Sequence, residues 1–212
     1  MKKIMIGALV AAALIGVVAL TSGTYANLTA TDTAINNLST GNVDIEIHKN
    51  GLENEEIRDG SEVTKNVEIT NNSKSPALIR VAIVPRWVDE NNNPWPGDTS
   101  IVKINFANLA TDENNTGSNQ EGKWLKDSEG EFYYYNSIVP TGETLPIIES
   151  VSAEIPPNLK DRYEGKKLIV DVKSEAVLAA KNPNGTGAIY EKTWTNVQGE
   201  NIKEVLNNLS NR

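Results

Sequence analysis

Reactive side chains are scarce in this chain. Histidine occurs once, as His48, and cysteine not at all. A Ser-His-Asp triad would have to be built on His48, yet no Gly-x-Ser-x-Gly elbow supplies its serine. No His-Glu-x-x-His pair is present to hold a catalytic zinc. Without thiols, disulfides, thiolate zinc sites and cysteine nucleophiles are excluded together. Carboxylates are plentiful, with 28 Asp and Glu against 20 Lys and Arg, but abundance alone does not make a general acid-base pair. Asp112-Glu-Asn-Asn-Thr-Gly117 partly follows a calcium loop, and its twelfth position is Lys123 where a bidentate glutamate is required. These residues predict no enzyme, no metal and no cofactor, with His48 a solvated strand residue.

Aromatic residues leave a binding role open. Trp87, Trp95, Trp124, Tyr133, Tyr134 and Tyr135 would line a carbohydrate-binding face if they were exposed together. Trp87 and Trp124 suit core packing better, and Trp95, between two prolines in a loop, is the best exposed candidate. That pattern supports a monomeric extracellular adhesin or carbohydrate-binding module. The formal net charge of -8 argues against a nucleic-acid partner, which needs clustered Lys and Arg.

The elements that would carry such residues follow an export signal. Met1-Lys2-Lys3, the apolar run Ile4 to Leu20 and the small residues ending in Ala26 form a signal peptide over 1–26, cut between Ala26 and Asn27. The mature chain is then expected outside the cell, free of the membrane. Residues 27–40 are a short polar-apolar arm and hinge, by pattern a loose strand or an unstructured terminus. From 41 to 212 one β domain is expected. Val43 to Ile47, Val63 to Thr70, Ile101 to Phe106 and Lys167 to Leu178 alternate with a period of two, as half-buried strands do. Ala77 to Val88 contains adjacent apolar pairs that suggest a central strand covered on both faces, with a bulge near Pro85. Trp124 to Lys126 and Glu131 to Tyr135 read as a hairpin whose Gly130 takes a positive φ. Ile202, Val205, Leu206 and Leu209 fall at helical spacing, with Asn201 as N-cap. The fold class is mainly β: an antiparallel sandwich or jelly roll with a short C-terminal helix and an N-terminal arm.

Several of these stretches are familiar together. Gly23-Thr-Tyr-Ala26, the arm, and Leu38-Ser-Thr-Gly-Asn-Val-Asp-Ile-Glu-Ile47 resemble the N-terminal signature of exported biofilm matrix proteins of Gram-positive bacteria, the TasA and camelysin group. Val67-Glu-Ile-Thr-Asn-Asn72 and Val172 to Ala180, with Trp194 downstream, extend the resemblance, which looks closest to the clostridial BsaA-type fibre subunits.

That resemblance implies processing by a dedicated SipW-type signal peptidase and a secreted subunit of extracellular matrix fibres at the cell surface. In such fibres, homopolymers or pili, the arm of one subunit completes the sheet of the next. The donor strand would be Leu28, Thr29, Ala30, Thr31, Asp32, Thr33, Ala34 and Ile35. Leu28, Ala30, Asp32 and Ala34 share one face and Thr29, Thr31, Thr33 and Ile35 the other, because strand side chains alternate. Backbone groups of an open sheet edge would bind it. A covalent reinforcement is a further expectation: a neutral, buried lysine attacking an Asn or Asp side chain, with a protonated acid moving protons. The residues are Asp32, Asn36 and Asn37 on the arm, Lys65 or Lys173 on strands, and Glu175 as the acid.

Overall fold

Leu78 and Ile79 are neighbours in sequence and both are fully buried. In a strand their side chains point to opposite faces, so the strand that carries them must be covered on both sides. Layers built around that strand make up the fold. A computed structural model describes residues 43–50, 62–110, 120–182 and 186–212, all in the second of the two units into which the chain divides, Thr31–Arg212. The expected signal peptide, the cut at Ala26 and Asn27, the arm from Leu28 to Ile35, and Asn36 and Asn37 lie outside the described residues.

The described chain is mainly β. Its strands are β1 (Ile45–Asn50), β2 (Glu62–Asn71), β3 (Ala77–Val88), β4 (Pro94–Trp95), β5 (Val102–Phe106), β6 (Trp124–Lys126), β7 (Phe132–Tyr135), β8 (Gly142–Glu143), β9 (Ile148–Ala153) and β10 (Lys167–Leu178). Three helices, α1 (Lys160–Tyr163), α2 (Tyr190–Thr193) and α3 (Glu200–Ser210), complete it. One sheet runs β1-β2-β9-β5 with β8 beside β2, and the other runs β10-β3-β7-β6 with β4 beside β3. Every pairing within them is antiparallel.

Period-two alternation sends Val63, Val67 and Ile69 of β2, Ile79 and Val81 of β3, Ile148 and Val151 of β9, and Val170 and Val172 of β10 into one shared core between the sheets. Each such side chain contributes about 1.5–3 kcal/mol by leaving water. The opposite face of the second sheet is covered by the C-terminal helices. Ile202, Val205, Leu206 and Leu209 of α3 pack with Tyr190 and Trp194 onto Leu78, Leu125, Tyr134 and Val177. β3 therefore lies between two cores around its Leu78-Ile79 pair, as expected, whereas Val84 of its second apolar pair is 54 % exposed, so the double cover does not extend there.

Three local expectations are corrected. β3 pairs with β10 without interruption from Ala77 to Val88, so no bulge occurs at Pro85. Between its pairings with β7 and β4 the other edge of β3 has no partner, and a strand accepts proline where an edge is unpaired. Gly130 does not take a positive φ. Its turn is held by the Asp127 carboxylate, which accepts from the Glu129 N–H at 3.1 Å, and a Cβ on Gly130 would sit 2.9 Å from that carboxylate. Asn201 is not the N-cap of α3: that position is Gly199, and the Asn201 side chain turns back to the Ile202 N–H.

Candidate functional site

Two sides of the sandwich differ. On one side, the chain after β5 crosses to the second sheet. Ala110 N–H donates to the Trp124 carbonyl and Trp124 N–H to the Asn108 carbonyl, both at 2.8 Å, and Leu109 bridges to Trp124 in parallel. On the other side, among the described residues, β1 pairs only with β2 and β10 only with β3. The free edges of β1 and β10 approach with Cα atoms within 8 Å but do not pair. Among the described residues this leaves a seam lined by unpaired backbone groups, with apolar side chains behind it: Ile45 and Ile47 from β1, Val170 and Val172 from β10. Strands in a sheet lie about 4.8 Å apart, so one that paired with both edges needs roughly 10 Å between them. An arriving strand thus pairs with one edge or spreads the seam.

Polar groups at this seam are sparse. Lys65 follows the inward alternation of Val63, Val67 and Ile69 and is 7 % exposed. The register of β2 against β9 shifts between Thr64 and Val67, so Lys65 lies in an irregular stretch of the strand, and such irregularities commonly re-aim a side chain. Its ammonium crosses the core and donates to the Val170 carbonyl of β10 at 3.2 Å. Burial pulls its pKa from 10.5 down to about 8, with nearby Lys49 acting the same way and Asp171 opposing it. Ser174, on the inward face of β10, is 2 % exposed and its hydroxyl has no hydrogen-bond partner.

The other sequence-predicted residues sit elsewhere. Lys173 and Glu175 point to the helix-covered face of β10, away from Lys65, because odd and even positions of a strand face opposite ways. Lys173 is exposed and lies 3.1 Å from Glu175, while Arg80 holds Glu175 at 2.6 Å. Burial alone would raise the Glu175 pKa, but Arg80 and Lys173 together bring it below the usual carboxylate value. Arg80 is itself buried, with its guanidinium 3.8 Å above the Phe132 ring and 4.8 Å from that of Trp194. The structure therefore brings Lys173 and Glu175 together and separates both from Lys65.

No common aromatic face exists. Trp87, Trp124 and Tyr135 point into the inter-sheet core and Tyr134 into the helix-covered one. Trp95 is half-buried, not exposed: Tyr163 meets it edge-on at 4.8 Å, and Arg162 and Lys166 lie 5.4 and 5.6 Å from its ring. Tyr163 had no signal in the sequence beyond a polar connection, because the tight turn of α1 forms only against Trp87 and Trp95.

His48 is half-exposed on the outward face of β1, with its nearest carboxylate, Glu46, 3.9 Å away. No curated protein and no solved structure matches the chain. A family described as camelysin metallo-endopeptidase matches residues 1–107, from the N-terminus to just past β5. That description implies a bound metal. A catalytic zinc takes three protein ligands. The sequence offers a single histidine and no cysteine, and among the described residues no group of three or more His, Cys, Asp or Glu is placed to hold an ion. The matched half holds the seam strand β1, the Lys65 strand β2 and the doubly covered β3, and by that match the chain belongs to the camelysin family.

Proposed function

We propose that this protein is a secreted structural subunit that polymerises by donor-strand addition into biofilm matrix fibres on a Gram-positive bacterium. In this reading it is a BsaA-type subunit of the TasA and camelysin group, and a SipW-type peptidase frees its arm by cutting after Ala26. The observation that carries the reading is the seam: two neighbouring sheet edges that no described strand pairs with, backed by apolar side chains, at the chain's first described strand. Residues 27–35 of another copy supply a strand with alternating apolar and threonine positions, and edge pairing satisfies the backbone groups that the subunit leaves open. A contact between an arm and a distant seam is head-to-tail and does not close, so it grows a filament.

Among the described residues no helix is long and apolar enough to cross a membrane. The scattering of the aromatic residues removes the feature that favoured a carbohydrate-binding module. Electron microscopy and size measurement decide the matter: mature protein beginning at Asn27 forms filaments, and deletion of Asn27 to Ile35 leaves monomers. Filaments from the deleted protein would refute strand addition.

A covalent form of this reading, exclusive of any ion pair at Lys65, is an amide bond from its Nζ to Asp32 with loss of water, or to Asn36 or Asn37 with loss of ammonia. It is supported by the burial and depressed pKa of Lys65, the condition for a nucleophilic amine. Glu175 and Lys173 are poorly placed to assist it. Boiling the fibres in denaturant distinguishes the two forms, since complete release of monomer rules the bond out.

A further inference from the structure

Three side chains with full charges are buried among the described residues: Lys65, Arg80 and Asp127. Two are answered within the subunit. Arg80 grips Glu175, and Asp127 accepts from the backbone N–H groups of Glu129, Gln198 and Gly199. Lys65 has only the Val170 carbonyl. No carboxylate among the described residues lies within ion-pair distance of it. Asp171, on the adjacent position of β10, is engaged by Arg86 at 2.5 Å, and the remaining neighbour, Lys49 of β1, carries the same charge as Lys65. An ammonium has three donors and is costly to bury beside one neutral acceptor.

The segment that would fill the seam has the complementary defect. Between Asn27 and Thr40 the only charged residue is Asp32. When residues 27–35 pair as a strand, it falls on the same face as Leu28, Ala30 and Ala34. That face buries its leucine only if the carboxylate is buried too, and a buried carboxylate requires a cation. We propose that Lys65 is the register lock of the acceptor seam: in the fibre its ammonium pairs with the Asp32 carboxylate from the arm of a second copy of this chain. The pairing rests on the strand-addition reading above and adds to it the residue that sets specificity. A slip of one position turns Asp32 to the other face, and a slip of two keeps the face but carries the carboxylate about 7 Å along the seam, so either strands both charges. The unpartnered Ser174 hydroxyl on the same inward face of β10 is a second polar group that the arm's backbone satisfies.

Charge exchange between subunits tests the lock. Mature chains beginning at Asn27 are prepared with Asp32→Lys or with Lys65→Glu, and folding is checked by circular dichroism. Each variant alone would bring like charges together and polymerise roughly a hundredfold more slowly than the unsubstituted protein. An equal mixture recovers, because each arm then meets the opposite charge in the other variant's seam and an alternating copolymer grows. Normal polymerisation of Asp32→Lys alone overturns the lock. A mixture of folded variants that stays monomeric overturns it as well, including the case in which each arm lies on its own seam. If Lys65→Glu does not fold, the Asp32→Asn and Lys65→Met variants and their double are compared. Losses that fail to add support the pairing, and additive losses overturn it. Deletion of Asn27 to Ile35 separates the two levels. If the deletion abolishes filaments while the charge variants polymerise normally, strand addition stands and the lock alone fails. If the deleted protein still polymerises, both fail.

Discussion

Lys65 titrates in a range that makes its burial measurable. Its pKa lies near 10.5 in an unfolded chain and at about 8 in the folded subunit. Below pH 8 it is charged in both states, and burying that charge costs stability. Between about pH 8 and 10.5 the folded protein releases a proton that the unfolded chain keeps, so stability rises with pH across that window. The rise is on the order of 3 kcal/mol if the whole window is traversed. Tyrosines with raised pKa, Tyr190 at about 12 and Tyr133 and Tyr134 by direction, act the other way at the alkaline end. Comparison with a variant cancels them. Urea denaturation of arm-deleted monomer should show the rise, and Lys65→Met should show little of it while being at least as stable at pH 7. Equal pH profiles for the two proteins would mean that the ammonium is not desolvated. The residue was visible in the sequence as a lysine at an inward position of an alternating strand. Its lack of a counter-charge was not, because that depends on which residues of β10 face it across the core.

At the scale of elements, Asp127 joins parts that lie far apart in the chain. Its carboxylate closes the turn between β6 and β7 and accepts from Gln198 N–H at 3.3 Å and Gly199 N–H at 3.2 Å, at the entry to α3. Gly199 brings no side chain to cap the helix, so an acid from the hairpin does the work that a Ser or Asp at that position usually does. Asp127→Ala should cost about 2–3 kcal/mol in urea denaturation, because it leaves the buried Gly199 N–H and the part-buried N–H groups of Glu129 and Gln198 without their acceptor. A loss below about 0.5 kcal/mol would mean that water replaces the carboxylate. The helix itself was legible from its apolar spacing, whereas its cap was not. Local sequence pointed to Asn201, and the acid that caps the helix comes from a hairpin turn that only tertiary packing brings there. In the same way Gly130 signalled a tight turn correctly but for a different reason, the close approach of Asp127.

Across the whole molecule, protection from solvent should be graded by position in the layers. β3 is paired for its full length with β10 and covered on both faces around Leu78 and Ile79, so the amides of that half should exchange slowest in the monomer. β1 and β10 each have a free edge and should exchange faster on that side. On fibre formation, hydrogen exchange measured by mass spectrometry should slow at β1 or β10 and change little at β5 and β6, where the sandwich is already tied. Equal slowing on both sides, or at the outward face of α3 alone, would place the contact between subunits elsewhere.

Sequence alone determined the strands and the scarcity of histidine and cysteine. Alternation depends only on the two-residue repeat of a strand, so β2, β3 and β10 could be read within a residue or so, and the one histidine and absent cysteines limit any donor set wherever the chain runs. Tertiary structure decided which strands share a sheet, which edges stay unpaired and which charge is left alone in the core. Those properties arise from contacts between residues as distant in sequence as Lys65 and Val170, and no local pattern records them.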